Sequence, residues 1–469
     1  MAEFKLTIDG RVEDAEGTFA VLNPAHETVV GQAPDASREQ LDRAVAAARA
    51  AFVGWRDTAR EQRVAAINAF AGAITDNLDD LARLLTLEQG KPLQEAHNEL
   101  QACLGWIDAF VHTELSEPVL VDDAESLISY RHRPLGVVGG ITPWNAPVLV
   151  ACSKLIPAVL TGNTVVLKPS PYTPLSTLKL GELAQQAFPA GVVNVLSGGN
   201  ELGRWMSEHP GIDKLSFTGS TATGKSIMRS GADNLKRLTL ELGGNDAAIV
   251  LDDVDVPAVV EKLFWGAFYN SGQICTAIKR MYVHADIHDA IAQGLVQYSQ
   301  YIEMGDGTRE GVVLGPVQNK MQFDKVCALA ASARQAGGRF LCGGEPRGGA
   351  GYFFPVSIVV DLPNDARLVQ EEQFGPILPL IRYTDVEQAL AWVNAGRQGL
   401  GGSVWSADLA RAEALARRLE SGSAWVNKHM DVRPDVPFGG ARESGLGMEH
   451  TALGLAEYTQ LQVLNIAKQ

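Results

Sequence analysis

The amino-acid sequence predicts an α/β protein built from two packed units. From Leu135 onward, short and almost wholly apolar segments alternate with amphipathic helical stretches, which is the signature of a parallel sheet covered by helices on both faces. The pattern runs twice, once before Leu242 and once after it. A chain of 469 residues, 46 % hydrophobic and 20 % charged, is also long enough for two or three cores rather than one.

The first hundred residues read as helical. Ser37 is placed to cap a helix whose apolar positions Leu41, Val45, Ala48 and Phe52 recur at helical spacing. Thr58 and Glu61 form a capping-box pattern ahead of Val64, Ile67, Phe70 and Ile74. Gly90 and Pro92 then punctuate the chain before another helix. Ahead of Cys275, strands are predicted at Gly136–Ile141, Thr164–Leu167, Val192–Leu196, Lys214–Phe217, Arg237–Leu240 and, beyond the break near Leu242, Ala247–Val250. The second series comprises Tyr282–His284, Val356–Val360, Ile377–Ile381, Gly402–Trp405 and Ala424–Val426. Two flanking strands, within Pro118–Arg133 and over Tyr458–Ile466, belong to neither series and read as bridging or oligomerising strands, or as sheet edges.

Composition excludes several functions. A formal net charge of −15 argues against sequence-independent DNA binding, which needs a basic face. The most apolar stretch, Gly136 to Gly162, is interrupted by Pro143, Asn145, Pro147, Lys154 and Pro157, so no membrane span is expected. The N-terminus carries no apolar core of signal-peptide length, and a cytoplasmic protein is expected. Cys103, Cys152, Cys275, Cys327 and Cys342 are odd in number and have no close pair, which argues against a disulfide framework or a zinc site, and no metal is expected. His284 and His288 lack a metal-binding context and read as a solvated pair.

Gly219-Ser-Thr-Ala-Thr-Gly224-Lys225-Ser226 matches the phosphate-loop pattern of nucleotidases letter for letter, between a strand and a helix. The physics it guarantees is narrower: a Gly-rich turn and a helix N-terminus present backbone N–H groups to phosphate, which a dinucleotide's pyrophosphate would use equally. Three other segments contain the parts of an acyl-transfer site. Asn145 stands between Pro143 and Pro147 at the end of an apolar strand, in a loop the prolines make rigid. Glu241 ends a strand ahead of Leu242-Gly243-Gly244. Cys275 follows Gly272-Gln273-Ile274, and the other four cysteines lack such a polar, glycine-containing setting. Taken singly, each has an ordinary reading: a core thiol, a turn asparagine, a solvated strand end.

Together these segments resemble the aldehyde dehydrogenase superfamily. Thr142-Pro-Trp-Asn145 is similar to its asparagine loop, Glu241–Gly244 to its glutamate signature and Gly272–Cys275 to its cysteine signature. Further matches are Leu167–Ser170, Phe217–Ser220, Glu371–Pro376 and Pro437–Gly440, and the resemblance runs from Asn23-Pro24 to the C-terminal tail.

The resemblance implies a Rossmann-like dinucleotide-binding domain (residues 1–115 and 134–242), an α/β catalytic domain (243–443) and a small β oligomerisation flap (116–133 and 444–469). It implies NAD- or NADP-dependent oxidation of a small-molecule aldehyde by a homodimer or homotetramer, with no nucleic-acid partner. Cys275 would be the nucleophile, activated by its polar site and backbone dipoles; Asn145 and the Cys275 N–H would form an oxyanion hole; Glu241 would be the general base. Lys168 resembles the lysine that meets the adenosine ribose, Gly219 and Ser220 the pyrophosphate cradle, and Glu372 the clamp on the nicotinamide ribose. Phe374 would lie against the nicotinamide, and Trp144, Ser170 and Leu242 complete the cofactor set. Three residues after the lysine, where NAD-preferring members often carry an acid, stands Pro171, so that bar to NADP is missing. The substrate pocket should include Ala146, Leu149, Val150, Ser153, Ile274, Thr276, Val432 and Phe438, with Ala146 and Ser153 leaving room for a bulky or aromatic aldehyde. His429 and Arg433 lie in the loop that would close the pocket; an inward Arg433 could read a substrate carboxylate, and a solvent-facing arginine is the more common outcome. Alternatives are a coenzyme A-acylating semialdehyde dehydrogenase, a phosphate-loop nucleotidase and a catalytically silent structural relative.

Overall fold

The computed structural model describes residues 3–468. Two large sheets carry the chain. The first has eight strands in the order Arg11–Glu13, Leu6–Ile8, Val193–Val195, Thr164–Lys168, Val137–Ile141, Lys214–Thr218, Arg237–Glu241 and Gly445–Leu446. Its five middle strands are parallel, and the strands added at each side are antiparallel. The chain builds outward from Val137–Ile141 in one direction, then returns to place Lys214–Thr218 on the other side. That reversal opens a crevice at the carboxyl ends of the two central strands, the place where doubly wound sheets bind ligands.

The second sheet has seven strands in the order Arg339–Cys342, Ser357–Val360, Ile377–Tyr383, Arg280–His284, Ala247–Val250, Gly401–Trp405 and Ser423–Val426, all parallel except the first. Side chains alternate between its faces: Ala247, Ile249 and Tyr282 join one core, while Ala248, Val250, Met281 and Val283 join another. Both faces are apolar because both are covered, which is why its strands read as continuous hydrophobic runs. A third, three-stranded antiparallel sheet joins Val119–Asp122, Ser126–Pro134 and Thr459–Ala467, with Val119, Leu120, Leu461, Val463 and Ile466 exposed.

The expected strands form within a residue or two of their predicted ends. The N-terminus differs: strands at Leu6–Ile8 and Arg11–Glu13, and a hairpin of Gly17–Asn23 with Thr28–Asp35, precede the helices. Gly445–Leu446, expected among the bridging strands, instead edges the first sheet beside Leu240 and Glu241. Ser37 caps helix Arg38–Arg56 in a full capping box with Gln40. The Thr58–Glu61 box does not form, because the Thr58 hydroxyl donates back to the Gly54 carbonyl at 3.0 Å and leaves helix Arg60–Asp76 with no side-chain cap. All five cysteines are free thiols. Among the described residues no helix is long and apolar enough to cross a membrane.

Candidate active site

The two sheets meet end to end. The first offers the carboxyl ends of its strands: Asn145 follows Val137–Ile141, Gly219 and Ser220 follow Lys214–Thr218, and Glu241 closes Arg237–Glu241. The second offers amino ends, with Cys275 ahead of Arg280–His284 and Glu372 and Phe374 ahead of Ile377–Tyr383. A cavity of about 610 Å³ lies between them and is lined by Asn145, Glu241, Cys275, Glu372 and Phe374 together.

Helix Pro147–Leu160 is almost wholly buried, and its first N–H groups would be orphaned without a partner. Glu99 supplies one, accepting from Val148 and Leu149 N–H at 3.0 and 3.1 Å while pairing with Lys91. Lys91 also donates to the Asn145 carbonyl at 3.0 Å, and Asn270 Nδ2 donates to the same oxygen at 3.1 Å. Asn145 Nδ2 gives one hydrogen to the Gln273 carbonyl at 2.8 Å, two residues before the cysteine, and keeps the other for the cavity.

The cysteine loop is bent by three consecutive left-handed residues, Asn270, Ser271 and Gly272. At Gly272 a Cβ would overlap the Gly375 carbonyl, so only glycine fits. Behind the loop, Lys279 Nζ donates to the carbonyls of Ile274, Cys275 and Ala277 at 2.6, 3.1 and 3.2 Å. Three acceptors need the three hydrogens of the ammonium form. The resting thiol is not a ready thiolate: burial pushes Cys275 up to about 12, Lys279 opposes the shift, and Glu241, Asp246 and Glu372 add to it. Glu241 is buried, and neither of its oxygens has a hydrogen-bond partner among the described residues. Burial and the neighbouring Glu449 hold its carboxyl well above the usual range, with Lys154 opposing. Lys154 itself is fully buried and donates to Glu449 at 2.9 Å and Ser216 Oγ at 3.2 Å.

On the opposite side of the crevice, Glu372 accepts from Gly244 N–H at 3.1 Å, and a Cβ on Gly243 would overlap its carboxylate. Phe374 sets its ring edge-on to Trp144 at 5.2 Å. Leu242 packs on Gly224, which brings helix Thr221–Gly231 close. Trp144, Gly219, Ser220 and Leu242 line the cavity, whereas Lys168 and Ser170 lie beyond its wall. Ser170 Oγ closes a turn on Tyr172 N–H, and Ser220 Oγ caps its own helix at Thr223 N–H. Lys225 faces away, paired with Glu443 at 2.9 Å.

The aldehyde dehydrogenase family model matches residues 12–464. The chain belongs to the aldehyde dehydrogenase family. It is 42 % identical to a Pseudomonas sp protein named "Probable aldehyde dehydrogenase", over 99 % of this chain and 95 % of that one. The NAD+ complex of an aldehyde dehydrogenase from Bacillus cereus superposes with a TM-score of 0.97 at 33 % identity, covering 100 % of this chain and 97 % of that one. An NADP-dependent enzyme of E. coli gives 0.97 at 35 %, covering 99 % and 98 %.

In this aldehyde dehydrogenase family member every residue expected in the substrate wall lines the cavity: Ala146, Leu149, Val150, Ser153, Ile274, Thr276, Val432 and Phe438. Ser153 spends its hydroxyl on the Val150 carbonyl at 2.9 Å, so it presents little polarity. The closing loop decides between the two orientations open to Arg433. Arg433 does not point inward; it is exposed and bound to Asp435 through both arms, at 2.8 and 2.6 Å, because that carboxylate lies two residues away in the same turn. His429 does line the cavity, with its side chain buried, Nδ1 against Ser403 Oγ at 2.8 Å, and its pKa pushed down to about 3 by burial. Sequence reasoning missed Trp106, Tyr269, Glu449 and His450 in the wall, and Lys154, Lys279, Glu99 and Lys91 behind it. A lone lysine inside an apolar helix and one four residues after the cysteine were the signals available for Lys154 and Lys279.

Proposed function

We propose that the protein oxidises an aldehyde to a carboxylic acid with NAD or NADP, through a thioester on Cys275 that is hydrolysed with Glu241 as base. The observation that carries the reading is the convergence of Cys275, Glu241 and Asn145 on one cavity at the switch point of the first sheet. Since burial holds the Cys275 thiol protonated, its attack needs a base, and Glu241 is the buried carboxyl in the same wall with both oxygens free. The oxyanion that forms is held by the remaining Asn145 Nδ2 hydrogen and the Cys275 N–H, donors worth about 3 kcal/mol each in such sites. When Cys275 has become a thioester, Glu241 takes a proton from water, and the Lys154–Glu449 pair beside it sets its charge.

A dinucleotide fits the residues present. Lys168 Nζ is buried and, among the described residues, donates only to the Pro169 carbonyl, at 3.1 Å, so hydrogens remain for ribose hydroxyls. The first N–H groups of helix Thr221–Gly231 open toward Gly219 and Ser220, a cradle for pyrophosphate. Glu372 keeps one oxygen free for the second ribose. When bound, the nicotinamide supplies the hydride acceptor. The eight-stranded unit would hold it and the seven-stranded unit would supply the nucleophile. The exposed apolar residues of the three-stranded sheet fit a homodimer or homotetramer.

Absorbance at 340 nm with a panel of aldehydes, with and without coenzyme A, tests the reading. Turnover without coenzyme A that disappears in Cys275→Ala, while dinucleotide binding persists, is the expected result. Strict dependence on coenzyme A would replace hydrolysis by acyl transfer, and residual turnover in Cys275→Ala would remove the thioester.

A further inference from the structure

His450 stands in the cavity wall, 2 % exposed, and neither ring nitrogen has a hydrogen-bond partner among the described residues. The carbonyls of Arg433 and Val436 face the ring without reaching hydrogen-bond geometry. Three aromatic rings hold the imidazole in place: Phe438 stacks at 5.9 Å, Trp106 meets it edge-on at 4.5 Å and Phe110 lies at 6.3 Å. Its backbone has φ 64 and ψ 165, a region that glycine alone occupies freely. A histidine kept there, with its polar atoms idle, is placed for something that enters the cavity.

The surroundings narrow what that is. Trp106, Phe438, Leu149 and Val432 make an apolar, aromatic-sided slot, and Ala102 and Ala146 leave it wide. The lysine of the described lining, Lys325, acts on Glu372 across the crevice, while Arg433 is bound to Asp435 outside the wall and Lys154 to Glu449 behind it. Glu241 and the Lys154-bound Glu449 share the wall, so a carboxylated aldehyde would meet carboxyl groups there rather than a cation to pair with. Burial lowers the imidazole's basicity, with Glu449 and the two carbonyls opposing and Lys154 adding to it, so the ring is neutral and offers one N–H donor and one lone pair.

We propose that His450 is the substrate-reading residue and that the aldehyde it selects is aromatic, with a hydroxyl on a ring carbon remote from the formyl group. The assignment rests on the aldehyde dehydrogenase reading. A hydroxyl can donate to the imidazole lone pair or accept from its N–H, and Trp106 and Phe438 offer a flat ring apolar surface in the same wall. Hexanal, benzaldehyde, 3- and 4-hydroxybenzaldehyde and 4-carboxybenzaldehyde separate the possibilities. A hydroxylated benzaldehyde is expected to exceed benzaldehyde by about tenfold or more in kcat/KM, mainly through KM, with the carboxylated one the poorest. His450→Leu keeps the backbone strained and should bring the ratio near one, while His450→Gln should restore part of it. Independently of any variant, 4-hydroxyacetophenone, which has no hydride to give, should inhibit the wild type more tightly than acetophenone. A wild-type ratio near one, an unchanged ratio in His450→Leu, a preference for the carboxylated aldehyde, or equal inhibition by the two ketones would overturn the assignment. Oxidation of hexanal and benzaldehyde with no hydroxyl preference would overturn only His450's role; oxidation of none of the panel would overturn the reading beneath it.

Discussion

Lys279 is the cation bonded to the cysteine loop, and replacing it by methionine isolates what a single charge does for the thiol. Its Nζ lies 3.1 Å from the Cys275 carbonyl, and it is the one group that lowers the Cys275 pKa while Glu241, Asp246 and Glu372 raise it. At a charge-to-sulfur separation of roughly 5–7 Å and an effective dielectric near 20, the attraction is about 2–3 kcal/mol. That corresponds to about two pKa units, hence about a 100-fold smaller thiolate fraction at any pH below the thiol pKa. The assay is the rate of iodoacetamide labelling of the Cys275 peptide, read by mass spectrometry, with the half-buried Cys327 and Cys342 as internal controls. Lys279→Met should slow labelling about 100-fold and leave the controls unchanged. Lys279→Gln separates the two contributions, because an amide can still donate to the loop carbonyls but carries no charge. Full restoration by Gln would mean that Lys279 shapes the loop rather than the charge, and labelling within threefold of wild type in both variants would refute the electrostatic reasoning altogether.

Glu241→Gln should slow deacylation more than the burst of reduced cofactor that precedes it, because activating water is its main task; equal loss of burst and turnover would make the thiol step its main one. Because its carboxyl is held above the usual range, the protonated and inactive form persists to higher pH than in a free glutamate. Wild-type turnover should therefore still be rising between pH 6 and 9 as protons leave Glu241 and Cys275, and the Glu241 limb should vanish in the Gln variant. For the cofactor, we expect NADP to be less than ~100-fold disfavoured, and Pro171→Glu to weaken NADP selectively by charge repulsion of order 1–4 kcal/mol; wild-type discrimination of several thousand-fold would show that another group, with Asp35 the carboxylate acting on Lys168, excludes the phosphate. Lys225→Ala breaks only an exposed pair with Glu443, so dehydrogenase activity should stay within about twofold. Magnesium-dependent ATP hydrolysis that this variant loses would revive the nucleotidase.

The parts of the molecule that were legible in the sequence are those fixed by local patterns. Both large sheets announced themselves because strands buried on both faces are apolar throughout, and Ser37 because its partner Gln40 is three residues away. Asn145, Glu241 and Cys275 were legible as short motifs whose neighbours constrain the backbone. What was not legible depends on partners distant in the chain. Thr58 has the residues of a capping box, yet the Gly54 carbonyl at the end of the preceding helix takes its hydroxyl. Glu99 and Glu88 look like ordinary helix-surface acids, but they accept from first-turn N–H groups of helices 49 and 87 residues later, at Val148 and Leu175. Lys154 and Glu449 are 295 residues apart and meet only because the fold brings helix Pro147–Leu160 against the Glu449 end of the Phe438–Glu449 bridge. The edge strand Gly445–Leu446 is two residues long and acquires its place from Leu240 and Glu241 rather than from any pattern of its own.

Strain around the cavity follows the same logic, since several side chains there sit on backbone that glycine would adopt more easily. Asn270, Ser271, Phe374 and His450 all have positive φ. In each case the side chain does what glycine could not: Asn270 Nδ2 holds the Asn145 carbonyl, Ser271 Oγ holds the Gly315 carbonyl at 2.7 Å, Phe374 meets Trp144, and His450 forms part of the wall. Asn270→Gly tests this. Left-handed backbone costs a non-glycine residue about 1–2 kcal/mol, with asparagine at the low end, so relaxation returns about 1 kcal/mol. Against that stand about 1 kcal/mol for the hydrogen bond lost to the Asn145 carbonyl, a smaller loss for the long 3.4 Å bond accepted from Gln89 Nε2, and roughly 0.5–1 kcal/mol for the greater freedom of glycine in the unfolded chain. Stability should therefore change by no more than about 1 kcal/mol, a shift of a few degrees in Tm at most. Activity should respond far more, because the Asn145 loop loses one of its two anchors and a displacement of about 1 Å at an oxyanion donor can cost on the order of 100-fold. A kcat lowered about 10- to 100-fold with Tm nearly unchanged is the expected pair of results. An unchanged kcat would show that Lys91 alone fixes Asn145, and a large drop in Tm would show that Asn270 serves the fold rather than the site.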